Sequence, residues 1–208
     1  MEKKNNFNLE TITGKSEEKT GHFGVKYRGV RYVKCPFDYV IYQMILEEIK
    51  PDLVVEIGTF QGGGALYIAD IISKWEGVVH SIDIVNWVED EIVEGHPNIF
   101  LFRNGYQGYD TSLAKDFKKV LVIDDGSHYS YDVKEAFEKF NHLVCQGSYY
   151  IIEDGSVYFT DPSSLEGGPV KAIEEILSEN SKFQIDRKWC DFFGLNATFN
   201  TDGYLRRV

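Results

Sequence analysis

Cysteine is scarce in this sequence. The three cysteines, Cys35, Cys145 and Cys190, are far apart and odd in number, and no CxxC or Cys/His zinc spacing is present. We therefore predict reduced thiols in a cytoplasmic protein, with neither a disulfide framework nor a structural zinc site. An excess of positive charge is also missing, because the formal net charge is -11. That charge argues against nucleic acid or an anionic membrane surface as the main partner.

Long apolar runs are missing as well. No run approaches the roughly 20 apolar residues that a membrane-spanning helix needs, and the first residues contain no apolar signal-peptide core. Segment 1–21 is polar and rich in Lys and Glu, so we predict an N-terminal arm that is mobile or is ordered by a partner subunit. The hydrophobic content of 43% suits one globular domain, which we predict over residues 22–208.

Five short runs of Val, Ile, Leu and Phe are continuous rather than alternating, which is typical of strands buried on both faces. They are LVVEI (53–57), VVHSID (78–83), NIFLF (98–102), VLVID (120–124) and YYIIE (149–153). Helical patterns lie between them, so the sequence predicts an α/β fold with a Rossmann-like, doubly wound, mostly parallel sheet. At the chain end, FQIDRKW, ATFN and GYLRRV predict antiparallel strands at one edge.

The first predicted strand leads into a loop rich in glycine. It ends at Glu56 and continues through Gly58 to the glycines 62–64, ahead of a predicted helix. Glycines permit a tight turn and let a ligand approach backbone N–H groups at a helix start. The spacing is not G-x-G-x-x-G, so it is a poor dinucleotide fingerprint. Asp83 ends the second strand, where it could accept hydrogen bonds from a ribose diol. A tight turn without a ligand and an ordinary surface Asp are the alternatives; together the two features favour an adenosine-containing ligand.

The pattern Glu-Ile-Gly-x-x-x-Gly-Gly, followed by an acidic end of the second strand, resembles the S-adenosylmethionine (SAM) loop of class I methyltransferases. Segments 27–71, 120–133 (VLVIDDGSHYSYDV), 148–155 (SYYIIEDG), 167–177 (GGPVKAIEEIL) and 203–208 (GYLRRV) resemble, in this order, the cephalosporin hydroxylase-like family, which includes rhamnosyl O-methyltransferases. The DDGSH element is also similar to metal-dependent sugar O-methyltransferases of macrolide biosynthesis. The resemblance covers about residues 24–208.

This resemblance implies a seven-stranded class I methyltransferase fold that uses SAM and a divalent cation, Mg²⁺ or Mn²⁺. It also implies which residues contact the cofactor. These are Glu56, Gly58, Thr59, Phe60, Gly62, Gly63, Asp83, Gly105, Tyr106 and Asp124.

Two carboxylates follow each of two strands, Asp124 with Asp125 and Glu153 with Asp154. If the strands are neighbours, four like charges meet at one edge of the sheet, and a cation with a preference for oxygen ligands relieves their repulsion. With the resemblance, we predict Asp125, Glu153 and Asp154 as the metal ligands. Asp124 competes for the first position, or else holds the SAM amino group or caps a loop. The plainer alternative is that these acids cap helices, with Ser127 or Ser130 as an N-cap.

His128 lies three residues after Asp125, so both side chains can face one pocket. A neutral imidazole can take the proton from an acceptor hydroxyl, and the related macrolide-sugar enzymes imply this role for their matching histidine. We therefore predict His128 and Asp125 as catalytic residues. A histidine that only packs at a helix start is the alternative.

These features predict a SAM- and metal-dependent O-methyltransferase that acts on a hydroxyl of a sugar or sugar-containing metabolite in carbohydrate biosynthesis. We expect acceptor recognition in segment 155–169, and a homo-oligomer is plausible. Two other functions stay open: an oxidoreductase or hydroxylase of the kind the family name suggests, and a non-catalytic SAM-fold binding protein. Against the first, the glycine spacing does not suit NAD, and no compact His-x-Asp pair suits an iron triad.

Overall fold

The computed structural model of the protein describes residues 13–157, 161 and 163–208. Within them the chain begins with a small antiparallel pair of strands, β1 (Lys26–Tyr27) and β2 (Val30–Arg31). Helix α1 (Pro36–Ile49) follows. Proline is compatible with the first turn of a helix because the N–H group that it lacks has no helical partner there. Most of the predicted N-terminal arm, residues 1–12, lies outside the described residues.

The five predicted strands are confirmed, each to within one residue at either end, and they are mutually parallel. The strands are β3 (Leu53–Ile57), β4 (Val78–Ile82), β5 (Ile99–Phe102), β6 (Val120–Asp124) and β7 (Tyr149–Ile152). Helix α2 (Gly63–Ile72) follows β3. Every residue of β3, β6 and β7 is buried, as continuous apolar runs predict for central strands covered on both faces.

Two more strands complete a seven-stranded sheet, β8 (Phe183–Ile185) and β9 (Tyr204–Arg207). The strand order is β5-β4-β3-β6-β7-β9-β8, and β9 is antiparallel to both of its neighbours. The antiparallel edge is therefore confirmed. The expected strand at ATFN is wrong, because residues 197–200 contain no strand and 198–200 form a bend. The buried carboxylate of Asp38 accepts hydrogen bonds from the Thr198 hydroxyl and the Phe199 N–H, which holds this segment out of the sheet.

Helices cover both faces of the sheet. Two apolar clusters result: α1 and α2 pack on one face, with Ile45 and Leu66 fully buried, and the helices that contain Phe137 and Ile173 pack on the other. The other α-helices are α3 (Glu91–Glu94), α4 (Gly105–Gly108), α5 (Ser130–Phe140), α6 (Gly168–Glu179) and α7 (Arg187–Cys190). Short 3-10 turns cover Gly21–Gly24, Ser73–Trp75, Thr111–Ala114, Asn141–Leu143 and Ser164–Gly167. None of the helices in the described part of the chain is long and apolar enough to cross a membrane.

The sheet order reverses between β3 and β6. From β3 the chain moves outward through β4 and β5, and it then returns to pair β6 against the other side of β3. Ile57 lies level with Ile82 on one side and with Asp124 on the other. The loops that follow β3, β4 and β6 therefore meet at one rim, which is where open α/β sheets bind ligands.

Candidate active site

A cavity of about 780 Å³ opens at the carboxyl ends of β3, β4 and β6. Ten of the residues singled out from the sequence line it: Glu56, Gly58, Thr59, Phe60, Gly63, Asp83, Gly105, Tyr106, Asp125 and His128. Asp154 also lines it, whereas Gly62, Asp124 and Glu153 do not. The position of the cavity matches the sequence-based prediction of a ligand site at this rim.

The glycine loop after β3 is shaped by close packing of backbone against backbone. Gly58 has a φ of +97°, and a Cβ atom there would lie 2.0 Å from the carbonyl oxygen of Asp125. A Cβ at Gly63 would lie 2.1 Å from the carbonyl oxygen of Arg31. Backbone packing therefore requires glycine at these two positions, whether or not a ligand binds. The same packing places the first residues of α2 against the cavity.

Asp83 joins the two loops on the β4 side of the cavity. Its Oδ2 accepts a hydrogen bond of 2.9 Å from the N–H of Phe60, and its Oδ1 accepts one of 3.0 Å from the N–H of Val85. A carboxylate oxygen has two lone pairs, so these bonds leave acceptor capacity for a ligand hydroxyl. Asp83 can therefore hold the two loops in place and still accept a hydrogen bond from a ribose hydroxyl, as predicted.

Glu56 is the one buried acid of the β3 end. Ser81 Oγ donates a hydrogen bond of 2.5 Å to its Oε2, and Thr59 lies 2.7 Å from the same serine hydroxyl. Burial raises the pKa of Glu56 to about 8. Glu56 is therefore a buried ionisable side chain in a part of the site that is formed mainly by backbone atoms.

On the other side of the cavity, three side chains converge from two strand ends. One ligand atom each of Asp125, His128 and Asp154 lies within 4.8 Å of the others. His128 Nε2 is 3.7 Å from Asp125 Oδ1 and 3.5 Å from Asp154 Oδ2. In the described residues this set holds one histidine and two carboxylates, which is not the two-histidine set of non-haem iron enzymes.

Electrostatics at this cluster favour a cation. Burial raises the pKa of Asp125, and it raises the pKa of Glu153 to about 7, with the charge of Asp125 adding to the effect. For His128, burial lowers the pKa, but the negative charges of Asp154 and Asp125 outweigh burial and the pKa is raised. Two causes therefore act here: burial, which raises the pKa of the acids and opposes the shift at His128, and the neighbouring negative charges, which raise the pKa of Glu153 and of His128.

Glu153 faces away from the large cavity and is bonded on both oxygens. Tyr42 donates a hydrogen bond of 2.6 Å to Oε1, and Oε2 contacts the ammonium group of Lys34. Lys34 also lies 3.3 Å from Oδ2 of Asp125. The structure therefore brings Asp125 and Asp154 together with His128, and it places Glu153 directly behind them against a lysine.

Asp124, the competing first ligand, is only 4% exposed. It lines neither the large cavity nor the smaller one beside it. Burial raises the pKa of Asp124 to about 7. Of the two neighbouring aspartates, Asp125 is the one whose side chain reaches the rim.

Capping does not account for the acids. Helix α5 has Tyr129 at its N-cap position, with no side-chain cap hydrogen bond, so the alternative that made Ser127 or Ser130 the N-cap is wrong. Ser127 instead donates its hydroxyl to Asp132. Of the acids that follow β6 and β7, Glu153 is bonded to Lys34 and Tyr42, and Asp125 and Asp154 lie around His128.

Three residues that line the cavity have a left-handed backbone. The φ angles are +48° at Phe60, +60° at His128 and +55° at Asp154. Each such residue is strained, and strained residues cluster at functional sites. Here the left-handed turn aims the His128 and Asp154 side chains toward each other across the strand ends.

A second cavity of about 250 Å³ lies behind the acidic cluster. It shares Asp125 and Asp154 with the large cavity and is also lined by Lys34, Cys35 and Glu153. Segment 155–169, in which we predicted acceptor recognition, begins beside it, since Ser156 and Val157 line this cavity. Residues 158–160 and 162 of that segment lie outside the described residues.

Sequence reasoning missed the buried polar network behind Glu153. Asn200 donates hydrogen bonds of 3.2 Å to the Tyr42 hydroxyl and 3.3 Å to that of Tyr204, which in turn donates one of 2.9 Å to Asp38. Burial raises the pKa of Asp38 to about 6. The only available signal was that Lys34 and Asp38 fall within a stretch that matches the family. No spacing rule connects either residue with position 153 or 200.

Comparison with known proteins gives a family and a fold. The sequence model of the family described as Rhamnosyl O-methyltransferase/CmcI matches residues 21–208. A rhamnosyl O-methyltransferase of Mycobacterium tuberculosis is 27% identical over 195 residues, which are 87% of this chain and 77% of that protein. One from Mycobacterium leprae is 27% identical over 193 residues, with 87% and 82% covered. A solved structure of CmcI in an Mg–SAM form has a TM-score of 0.66 at 22% identity, covering 100% of this chain and 88% of that chain. The class I methyltransferase fold is confirmed.

Proposed function

This chain belongs to the Rhamnosyl O-methyltransferase/CmcI family, and from that membership we propose that it is a SAM- and divalent-metal-dependent O-methyltransferase. Its acceptor is a hydroxyl of a sugar or of a sugar-containing metabolite. The observation that carries the proposal is the convergence of Asp125, His128 and Asp154 at the edge of the large cavity. Proton acceptor, metal ligands and cofactor loop thus share one space.

The large cavity fits SAM. Its volume of about 780 Å³ lies within the range of small-molecule sites. Asp83, Gly105 and Tyr106 are assigned to the adenosine part, and the loop from Gly58 to Gly63 to the methionine part. Glu56 lies under that loop with a buried carboxyl group, where it can accept from an amino group.

The acidic cluster fits a cation with a preference for oxygen ligands. Asp125 and Asp154 offer carboxylate oxygens to one point, and Glu153 lies directly behind them. Carboxylates suit Mg²⁺ or Mn²⁺. Such an ion would polarise the acceptor hydroxyl, while SAM would supply the methyl group. We assign the first ligand position to Asp125 because Asp124 does not reach the cavity.

His128 takes the proton of the acceptor hydroxyl through Nε2. With SAM bound, the acceptor oxygen would form a bond to the methyl carbon as the bond from that carbon to sulfur breaks, and the imidazole of His128 would receive the proton. Asp154 and Asp125 hold the ring within 4 Å and favour the protonated form that results. Alignment of the acceptor oxygen with the methyl carbon and sulfur would lower the barrier further, and residues of this rim would set that alignment.

The acceptor class rests on the relatives, which are named rhamnosyl O-methyltransferases. We assign acceptor recognition to segment 155–169, which begins at the smaller cavity beside the acidic cluster. A cytoplasmic location, a homo-oligomeric assembly and the role of the N-terminal arm stay predictions.

The test combines binding with transfer. Calorimetry should show SAM binding to the purified chain, and methyl-labelled SAM should transfer label to rhamnosides or other deoxyhexosides only when Mg²⁺ or Mn²⁺ is present. Asp154→Asn should weaken Mg²⁺ and Mn²⁺ binding and remove most of the activity. Absence of SAM binding at millimolar concentration, or transfer at full rate in excess chelator, would contradict the proposal. Substrate oxidation by the Fe²⁺-loaded protein would favour the hydroxylase alternative instead.

A further inference from the structure

Lys34 is a cation already present inside the acidic cluster. Only 4% of the residue is exposed, and its ammonium group touches Glu153 and lies 3.3 Å from Oδ2 of Asp125. The ammonium group also lies over the rings of Tyr32 and Tyr42, 5.4 Å and 5.2 Å from their centroids. A lysine this deep is rare unless its charge is balanced, and here two carboxylates and two ring faces balance it.

The carboxylates that Lys34 contacts are two of the three predicted metal ligands. Asp125 has one oxygen toward Lys34 and the other toward His128. Glu153 has one oxygen on Lys34 and the other on Tyr42. A divalent ion coordinated by both residues would stand a few ångströms from the ammonium group. In a desolvated cluster two cations at that separation repel strongly.

We propose that Lys34 is a positioning residue that competes with the metal. Its ammonium group holds Asp125 and Glu153 together in the metal-free protein, and it withdraws from Glu153 when a divalent ion binds. The inference rests on the proposed metal dependence and adds to it a regulator of metal affinity within the chain. The strand ends thereby stay assembled without an ion, and metal binding costs the loss of an existing ion pair.

A cavity next to Lys34 can receive the ammonium group when it leaves Glu153. Lys34 lines the cavity of about 250 Å³ behind the cluster, together with Asp154 and Ser156. The lysine stem is unbranched and has four methylene groups, so a rotation about its last bonds moves the charge by several ångströms without moving the backbone. The Ser156 hydroxyl, which is not one of the proposed metal ligands, lines the same cavity and can accept a hydrogen bond from the ammonium group.

The first test is Lys34→Met, which keeps an unbranched side chain of similar shape, one atom shorter, and removes its charge. We expect the Mn²⁺ dissociation constant, measured from the free-ion paramagnetic resonance signal, to fall at least about fivefold, the lower end of typical coupling between two sites. The metal-free variant should melt at a lower temperature than the metal-free parent, and the rise in melting temperature on adding Mg²⁺ should be larger. Lys74→Met is the matched control, because Lys74 pairs with Glu47 at 3.1 Å on the exposed surface.

The second test uses the parent chain and does not depend on the variant folding. With lysine side chains labelled with ¹⁵N, the ammonium protons of Lys34 should exchange slowly with water in chelator, because the group is buried and bonded. They should exchange faster once Mg²⁺ saturates the site, whereas the exchange of Lys74 should not change.

The outcomes separate the two proposals. Weaker Mn²⁺ binding by Lys34→Met would show that Lys34 orients the ligands without competing, and equal binding would show no linkage; either result overturns the inference and leaves the metal dependence standing. Unchanged exchange of the Lys34 ammonium protons on metal binding would also overturn it. If neither protein binds Mn²⁺ or Mg²⁺, the proposed metal dependence fails and the inference fails with it.

Discussion

The two halves of the rim above the sheet are built by different means. On the β3–β4 side, backbone packs on backbone, as at Gly58, whose Cβ position is taken by a carbonyl oxygen of the neighbouring loop. On the β6–β7 side, charged side chains gather: Asp125, Glu153 and Asp154 with Lys34 and His128. The first half is held by shape and the second by a balance of charge. Substitutions should therefore affect the first half through folding and the second through binding and catalysis.

Gly58→Ala should have the largest effect on stability. It forces a side chain into positive φ, at about 1–3 kcal/mol, and drives its Cβ into a carbonyl oxygen, at about a further 1–3 kcal/mol. We expect urea unfolding to show a loss of roughly 2–6 kcal/mol. Gly29→Ala is the control, because Gly29 has a φ of +92° with no atom within 4 Å of a Cβ there. Equal losses for the two variants would mean that backbone packing does not shape this half.

His128→Asn should leave stability nearly unchanged and reduce catalysis. Asparagine tolerates the φ of +60° at this position but offers no imidazole to accept a proton. We expect kcat for methyl transfer to fall by about 10²–10⁴-fold, with the urea midpoint close to that of the parent chain. His142→Asn on the exposed surface serves as control. Retention of more than half of the activity would exclude His128 as the base.

Glu56→Gln should change how stability depends on pH. The pKa of Glu56 is about 8 in the folded protein and about 4.5 when the chain is unfolded. A raised folded pKa contributes stability below the unfolded value, and that contribution is lost as pH rises through about 8. The melting temperature of the parent chain should therefore decline between the unfolded pKa of about 4.5 and the folded pKa of about 8 more steeply than that of Glu56→Gln, and the two curves should run parallel above that range. If the melting temperature of the two proteins depended on pH in the same way throughout, the pKa of Glu56 would not be raised by burial.

Tyr42→Phe should have the smallest effect. It removes the hydrogen bond of 2.6 Å to Glu153, which leaves that carboxylate to Lys34, and it removes the bond of 3.2 Å that Asn200 donates to the Tyr42 hydroxyl. We expect a loss of about 1–2 kcal/mol in unfolding free energy, because a buried acceptor loses one of its partners. Tyr67→Phe, which removes a hydrogen bond of 2.8 Å to the carbonyl of Tyr39 on the β3 side, is the comparison. A larger loss at Tyr67 would mean that the network behind Glu153 contributes little to the rim.

Much of this protein followed from sequence alone. Continuous apolar runs indicated five buried parallel strands, because a strand covered on both faces has no polar side to alternate with. The order of loop glycines, Asp83, paired acids and His128 indicated one ligand rim, because the carboxyl ends of parallel strands share an edge. Those are consequences of local pattern and topology, and the fold that they predicted is confirmed.

Only the tertiary structure decided how the four acids differ. Asp124 is buried away from the cavities, Asp125 reaches the rim, Glu153 meets Lys34 and Tyr42, and Asp154 turns toward His128 through a positive φ. Lys34 lies 119 residues before Glu153 in the chain. Pairings of that range depend on packing between distant elements and on the cost of burying each charge. Neither the packing of distant elements nor the cost of burying a charge can be predicted from the spacing of residues that are neighbours in sequence.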